Sequence, residues 1–205
     1  MRVDPVELDL KALGVGSSSF PRSEGLHMSS LYGSYYQDAE PDRYRRDTEP
    51  DPLVLEFGLM FENALEAWLA QRIISSRGGE HIERPGEFCT EMGGTPVYYT
   101  PDLLIFNGGL RVGEIKLTDM SSRDVPRAPG GSFPSKFDKW FTQCKLYCRA
   151  LETPFARLYA LFMYGDYKRP FKRELGCWNL TFSQTELEEE WSNMERHGKQ
   201  KGMLV

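Results

Sequence analysis

A chain of 205 residues with 40% apolar and 13% aromatic side chains and a net charge of −5 can bury one hydrophobic core, so one domain is expected. No apolar run reaches the ~18 residues a membrane span needs, and charges interrupt the N-terminal stretch where a secretory signal needs an unbroken apolar core; a soluble, cytoplasmic protein with no membrane partner is expected. The four cysteines, Cys89, Cys144, Cys148 and Cys177, lack the spacing of a disulfide framework or of two close metal-binding pairs and read as buried thiols.

Residues 1–50 are loosely patterned and read as an N-terminal arm with one short helix over 28–37, whose Tyr32, Tyr35 and Tyr36 pack on the domain or stack on a base. The folded domain is expected over 51–195. Asp51-Pro52 starts its first helix, with the carboxylate as N-cap and proline at the first helical position. That helix, predicted over 51–74, buries Phe57, Phe61, Ala64, Leu65, Trp68 and Leu69, while Gly58, Glu62 and Glu66 form a second stripe four residues apart. Strands follow over 87–92, 95–106 and 110–117, joined at Gly93-Gly94 and Asn107-Gly108-Gly109, which predicts three adjacent antiparallel strands.

Residues 118–134 form a long loop with Arg123 and Arg127, the first place to look for strand selection. A second helix runs from 135 to just before Pro154, then an apolar strand over 157–164 and another over 177–180. Ser183 and Glu186 make a capping box for the last helix, with Phe182 stapled onto Leu187, and Leu187, Trp191 and Met194 on its apolar face. Residues 196–205 read as a frayed basic tail with weak nucleic-acid contact.

The chemistry concentrates at Asp102, Glu114 and Lys116. Glu114 and Lys116 are two apart on one strand, so both project from the same face. Charges on so apolar a sheet are expensive unless paired or bound to metal; a simple surface pair is the alternative. Asp102, Glu114 and the carbonyl of Ile115 are hard oxygen donors suited to Mg²⁺ or Mn²⁺, and Glu62 or Glu66 could add a carboxylate, for one or two ions. Such a site activates water and neutralises a transferring phosphoryl group, with Lys116 holding the water or stabilising the charge. Gln143 and Tyr147, one turn apart, could reach the same phosphate, and Lys139 and Trp140 extend that helix as a strand-tracking surface. His27, His81 and His197 have no ligand spacing, which disfavours a zinc hydrolase. Residues 31–66 carry nine acidic and three basic side chains, and 133–173 nine basic and three acidic, a polarity that suits a phosphate backbone drawn beside an acidic metal pocket.

Taken in order, Gly58-x-x-x-Glu62-x-x-Leu65-Glu66, Pro101-Asp102, Glu114-Ile115-Lys116 and Gln143-x-x-x-Tyr147, with Met28-Ser29-Ser30-Leu31 upstream, resemble the PD-(D/E)xK nuclease superfamily, RecB-like and phage exonuclease branch. The resemblance covers about residues 27–150. It implies an α/β, restriction-endonuclease-like core, an α-β-β-β-α-β mixed sheet flanked by helices. Asp102, Glu114 and a helix carboxylate would be metal ligands and Lys116 the catalytic lysine. Many relatives carry histidine where this chain has Glu62, so the choice between Glu62 and Glu66 stays open. The cysteine arrangement differs from that of iron–sulfur members, so no iron–sulfur cluster is expected. The implied activity is a metal-dependent DNA exonuclease, bacterial or phage-encoded, acting on linear duplex or single-stranded DNA in recombination or processing. A homo-oligomeric ring or a recombination partner protein is expected with it. The alternatives are an endonuclease on the same core and a DNA-binding or assembly protein with an inactive core.

Overall fold

A computed structural model describes residues 23–44, 58, 60, 64, 68, 80–118, 120–125, 132–162 and 174–205. Strand β1 (Leu26–His27) leads directly into helix α1 (Met28–Ala39), whose buried Met28, Leu31, Tyr32 and Tyr36 recur at helical spacing. A single turn, α2 (Pro41–Tyr44), starts on proline, which needs no hydrogen-bond partner there. Gly58, Met60, Ala64 and Trp68 are helical, within the helix expected over 51–74. Ala64 and Trp68, expected on its buried face, are exposed together with Met60; these three residues are four apart and share one stripe.

Strands β2 (His81–Glu83), β3 (Phe88–Met92), β4 (Thr95–Tyr99), β5 (Leu103–Phe106) and β6 (Leu110–Thr118) follow. Beyond them come α3 (Asp138–Ala150), β7 (Phe155–Phe162), β8 (Glu174–Thr181) and α4 (Gln184–Gln200). Gly93 and Gly94 turn the β3–β4 hairpin at φ of 56° and 80°, both values that a side chain would resist. The expected three adjacent antiparallel strands are divided between two sheets. One has the order β1-β4-β3 and the other β2-β5-β6-β7-β8. The division falls at residues 100–102, inside the single strand expected over 95–106. Pro101 has no N–H to give a ladder, and Asp102 leaves the strand to bond elsewhere.

In the five-stranded sheet β6 and β7 are parallel and the remaining pairs antiparallel. A parallel pair needs a crossover, and the intervening chain supplies α3, which packs on β6 and β7. The main core lies under it: Val112 and Ala156 from the sheet, Val97 and Tyr99 from β4, Leu31 from α1, Cys144 and Leu146 from α3, and Leu187, Trp191 and Met194 from α4. The opposite face buries Leu103, Ile105, Ile115 and Tyr159. Gly113 is required where β5 crosses it, since a Cβ there would stand 2.7 Å from that of Leu103.

The capping box of α4 is present as predicted. Ser183 Oγ accepts from the Glu186 N–H at 3.2 Å, and Glu186 Oε2 accepts from the Ser183 N–H at 2.8 Å. The chain after Glu195 is not frayed. The helix continues to Gln200, His197 and Leu204 are buried, and the Val205 N–H donates to Thr95 Oγ1 at 3.0 Å.

Candidate metal and phosphodiester site

β6 outruns its neighbour. β5 covers it from Leu110 to Gly113, so the residues beyond lack a β5 partner along that edge. Asp102 fills the first of these positions: its Oδ2 accepts the Ile115 N–H at 2.7 Å. The N–H and C=O of an extended residue leave the strand on the same edge, so the Ile115 carbonyl opens on the Asp102 side. The break at Pro101 is therefore what brings the Asp102 carboxylate against the Glu114–Lys116 segment.

Glu114 has no exposed surface, and Lys116, on the same face, is about one-fifth exposed. Lys116 Nζ donates to Glu114 Oε1. With one member sealed from water, this is not a surface ion pair. Burial alone would push the Lys116 ammonium towards neutrality, but the Glu114 and Asp102 carboxylates outweigh it and hold its pKa well above the ordinary lysine value. The two carboxylates thus favour the ammonium form of Lys116.

Gln143 and Tyr147 come together on α3 as their spacing suggested: Gln143 Nε2 donates to the Tyr147 hydroxyl at 3.2 Å, and both side chains are buried. Burial foremost, then Tyr32 and Glu114, push the Tyr147 phenol well above its ordinary pKa. Lys139 Nζ stands 5.7 Å from the ring centroid of Tyr32. Trp140 is buried, its ring edge-on to Phe137 at 4.4 Å between centroids. Glu62 and Glu66 lie outside the described residues.

Sequence reasoning missed the position of Tyr32. It was legible as one of three tyrosines that pack or stack, but not as a neighbour of the charged cluster. The charges of Lys116, Glu114 and Asp102 all act on its phenol. The signal available was the spacing Met28, Tyr32, Tyr36, which puts the ring on the inner face of α1.

The donor set fits a hard divalent cation: two carboxylates and a backbone carbonyl, leaving room for the waters such ions keep. Among the described residues no group of three or more His, Cys, Asp or Glu side chains is arranged to hold a metal, so further protein ligands would have to come from elsewhere. Among the described residues of the basic stretch 133–173, charge is less open than the count suggests. Lys145 pairs with Glu190 at 3.0 Å, Arg149 with Glu188 at 2.8 Å and Arg157 with Glu80 at 2.9 Å. No described helix is long and apolar enough to cross a membrane.

By sequence, no family profile and no curated protein matches the chain. By structure, the protein SSO0001 is similar over 94% of this chain and 82% of its own, with a TM-score of 0.53 and 14% identity, a likeness of fold alone. The alkaline exonuclease LHK-Exo of Laribacter hongkongensis is similar over 87% of this chain and 93% of its own, at 15% identity and a TM-score of 0.44. Its complex with dAMP gives 88%, 95%, 14% and 0.42. Superpositions this loose assign no function.

Proposed function

We propose that this chain is a divalent-metal-dependent deoxyribonuclease of the PD-(D/E)xK type, acting as an exonuclease on linear DNA. The observation that carries the reading is the convergence of Asp102, the Ile115 backbone and the Glu114–Lys116 pair where β6 runs past the end of β5. A purely structural ion pair would not need a second carboxylate turned onto the same edge.

Asp102, Glu114 and the Ile115 carbonyl would hold Mg²⁺ or Mn²⁺, with Glu62 or Glu66 as the further carboxylate. When bound, the ion supplies an acidified water and neutralises phosphate charge. Lys116, kept as an ammonium by its two carboxylates, stabilises the negative charge that builds on the phosphoryl oxygens. Asp102 also fixes the β6 edge through Ile115, so metal and lysine stay in register. Gln143 and Tyr147 lock each other's rotamers beside this cluster and orient the phosphate. Lys139 meets the neighbouring backbone, and Trp140 anchors the turn of α3 that carries it.

The test of the activity class is digestion of end-labelled linear duplex, linear single strands and covalently closed circles. Release from linear DNA alone is the expected result. Cutting of circles would make the protein an endonuclease on the same core, and inactivity of metal-loaded protein on all three would favour a binding role.

A further inference from the structure

Tyr32 lies on the inner face of α1, 8% exposed, in the cluster that also holds Val112, Cys144 and Tyr147. Val112 precedes Glu114 by two residues on β6 and shares its face. The ring of Tyr32 is therefore packed on the side of the sheet where Glu114 and Lys116 project. Its place is fixed from both ends. One turn later on α1 the Tyr36 hydroxyl bonds Thr142 Oγ1 of α3 at 3.1 Å, and Lys139, nearly one turn earlier on α3, stands over the Tyr32 ring.

The neighbouring phenols are engaged: Tyr36 with Thr142, Tyr147 with Gln143. The Tyr32 hydroxyl makes no hydrogen bond among the described residues, and the residue keeps 8% of its surface exposed. A buried phenol usually finds a partner. Here the ring is fixed and the donor is left open beside a cluster built for phosphate chemistry. Burial, the largest influence, raises its pKa well above the ordinary tyrosine value, so the group keeps its proton.

We propose that Tyr32 contacts the substrate, its hydroxyl donating a hydrogen bond to a non-bridging oxygen of the DNA phosphate that lies over Glu114 and Lys116. The inference rests on the nuclease reading above and adds to it a substrate donor from α1. No proton is transferred: the bond strengthens as negative charge builds on that oxygen and lapses when the product leaves.

The test compares wild type, Tyr32→Phe and Tyr32→Leu on end-labelled linear DNA with Mg²⁺ or Mn²⁺, measuring kcat, KM and the thermal midpoint of each protein. Tyr32→Phe keeps the ring and removes only the donor. A hydrogen bond to a charged group predicts a fall in kcat of roughly ten- to a hundredfold, with KM and thermal midpoint close to wild type. Tyr32→Leu should then be at least as slow. A role in packing alone predicts the reverse pattern, Tyr32→Phe matching wild type in kcat and Tyr32→Leu losing activity together with thermal stability, and that pattern overturns the inference. Wild-type protein that digests no DNA with either metal overturns the nuclease reading and this inference with it; active wild type matched in kcat by Tyr32→Phe overturns this inference alone.

Discussion

At Glu114 the protein keeps a carboxylate with no exposed surface, and the Lys116 ammonium is its partner. Removing one member of such a pair leaves the other charge in a poorly solvated place, which costs on the order of 3 kcal/mol. Lys116→Met alone should therefore lower the urea midpoint markedly. The double variant Glu114→Gln/Lys116→Met should recover most of the loss while digesting no DNA, the pattern the proposed catalytic role of the pair requires. Glu80 works in the opposite sense. Hydrogen bonds from Arg157, aided by Asn107 and opposed by burial, lower its pKa from 4.5 to about 2. A carboxylate whose folded pKa is depressed adds stability above its unfolded pKa and loses it as pH falls through the folded value. Wild type should exceed Glu80→Gln by on the order of 2–3 kcal/mol at pH 6, with the margin nearly gone by about pH 2. A constant margin across that window would show that the Arg157 pair is not its source. At this scale the spacing of Glu114 and Lys116 was legible, because alternate strand residues share a face whatever the fold. Tyr32 was not, because its place depends on where α1 docks, far from Lys116 in sequence.

Single elements carry their own tests. Ser183→Ala removes the side-chain half of the α4 capping box and should cost about 1 kcal/mol in chemical denaturation, although that helix is exposed at its start. Gly113→Ala should cost about 1–3 kcal/mol, as the new methyl meets Leu103 and pushes β5 off β6. Since β5 begins beside Asp102, DNA digestion should fall further than stability does. Equal, proportional losses would mean that the β5–β6 spacing does not position the site. The hairpin glycines and the capping box were readable because each motif closes its own hydrogen bonds within a few residues. The division of 95–106 was harder to see. Val97, Tyr98 and Tyr99, then Leu103, Leu104 and Ile105, form one β-forming run, interrupted only by the short Pro101-Asp102 pair. β1 has two residues and no periodicity to detect, and it exists because β4 offers it a parallel partner. The last ten residues looked like a solvated tail by composition, but Gly198 lets Leu31 and Leu204 close over the end of α4.

Across the described residues, the charge asymmetry of the sequence is only partly an open surface. Acidic side chains of α4 neutralise Lys145 and Arg149 on the outer side of α3, while Gln143 and Tyr147 of the same helix turn inwards near Glu114. One helix thus separates a salt-bridged flank from the side that faces the charged cluster, and DNA is expected on the latter. The mixed α/β order of helices and strands was legible, and the pairing of strands into two sheets was not, since sheet membership is a long-range property. Whether Asp102, Glu114 and Lys116 hydrolyse phosphodiesters with a divalent metal, as proposed, is decided by release of acid-soluble nucleotide from linear DNA with Mg²⁺, Mn²⁺ or EDTA. Wild type should be compared with Asp102→Asn, which retains an acceptor for the Ile115 N–H but loses the charge. Wild type should release nucleotide only with metal, and Asp102→Asn should lose about a hundredfold or more with folding intact; release that persists in EDTA, or in Asp102→Asn at the wild-type rate, would rule out this site as the hydrolytic centre.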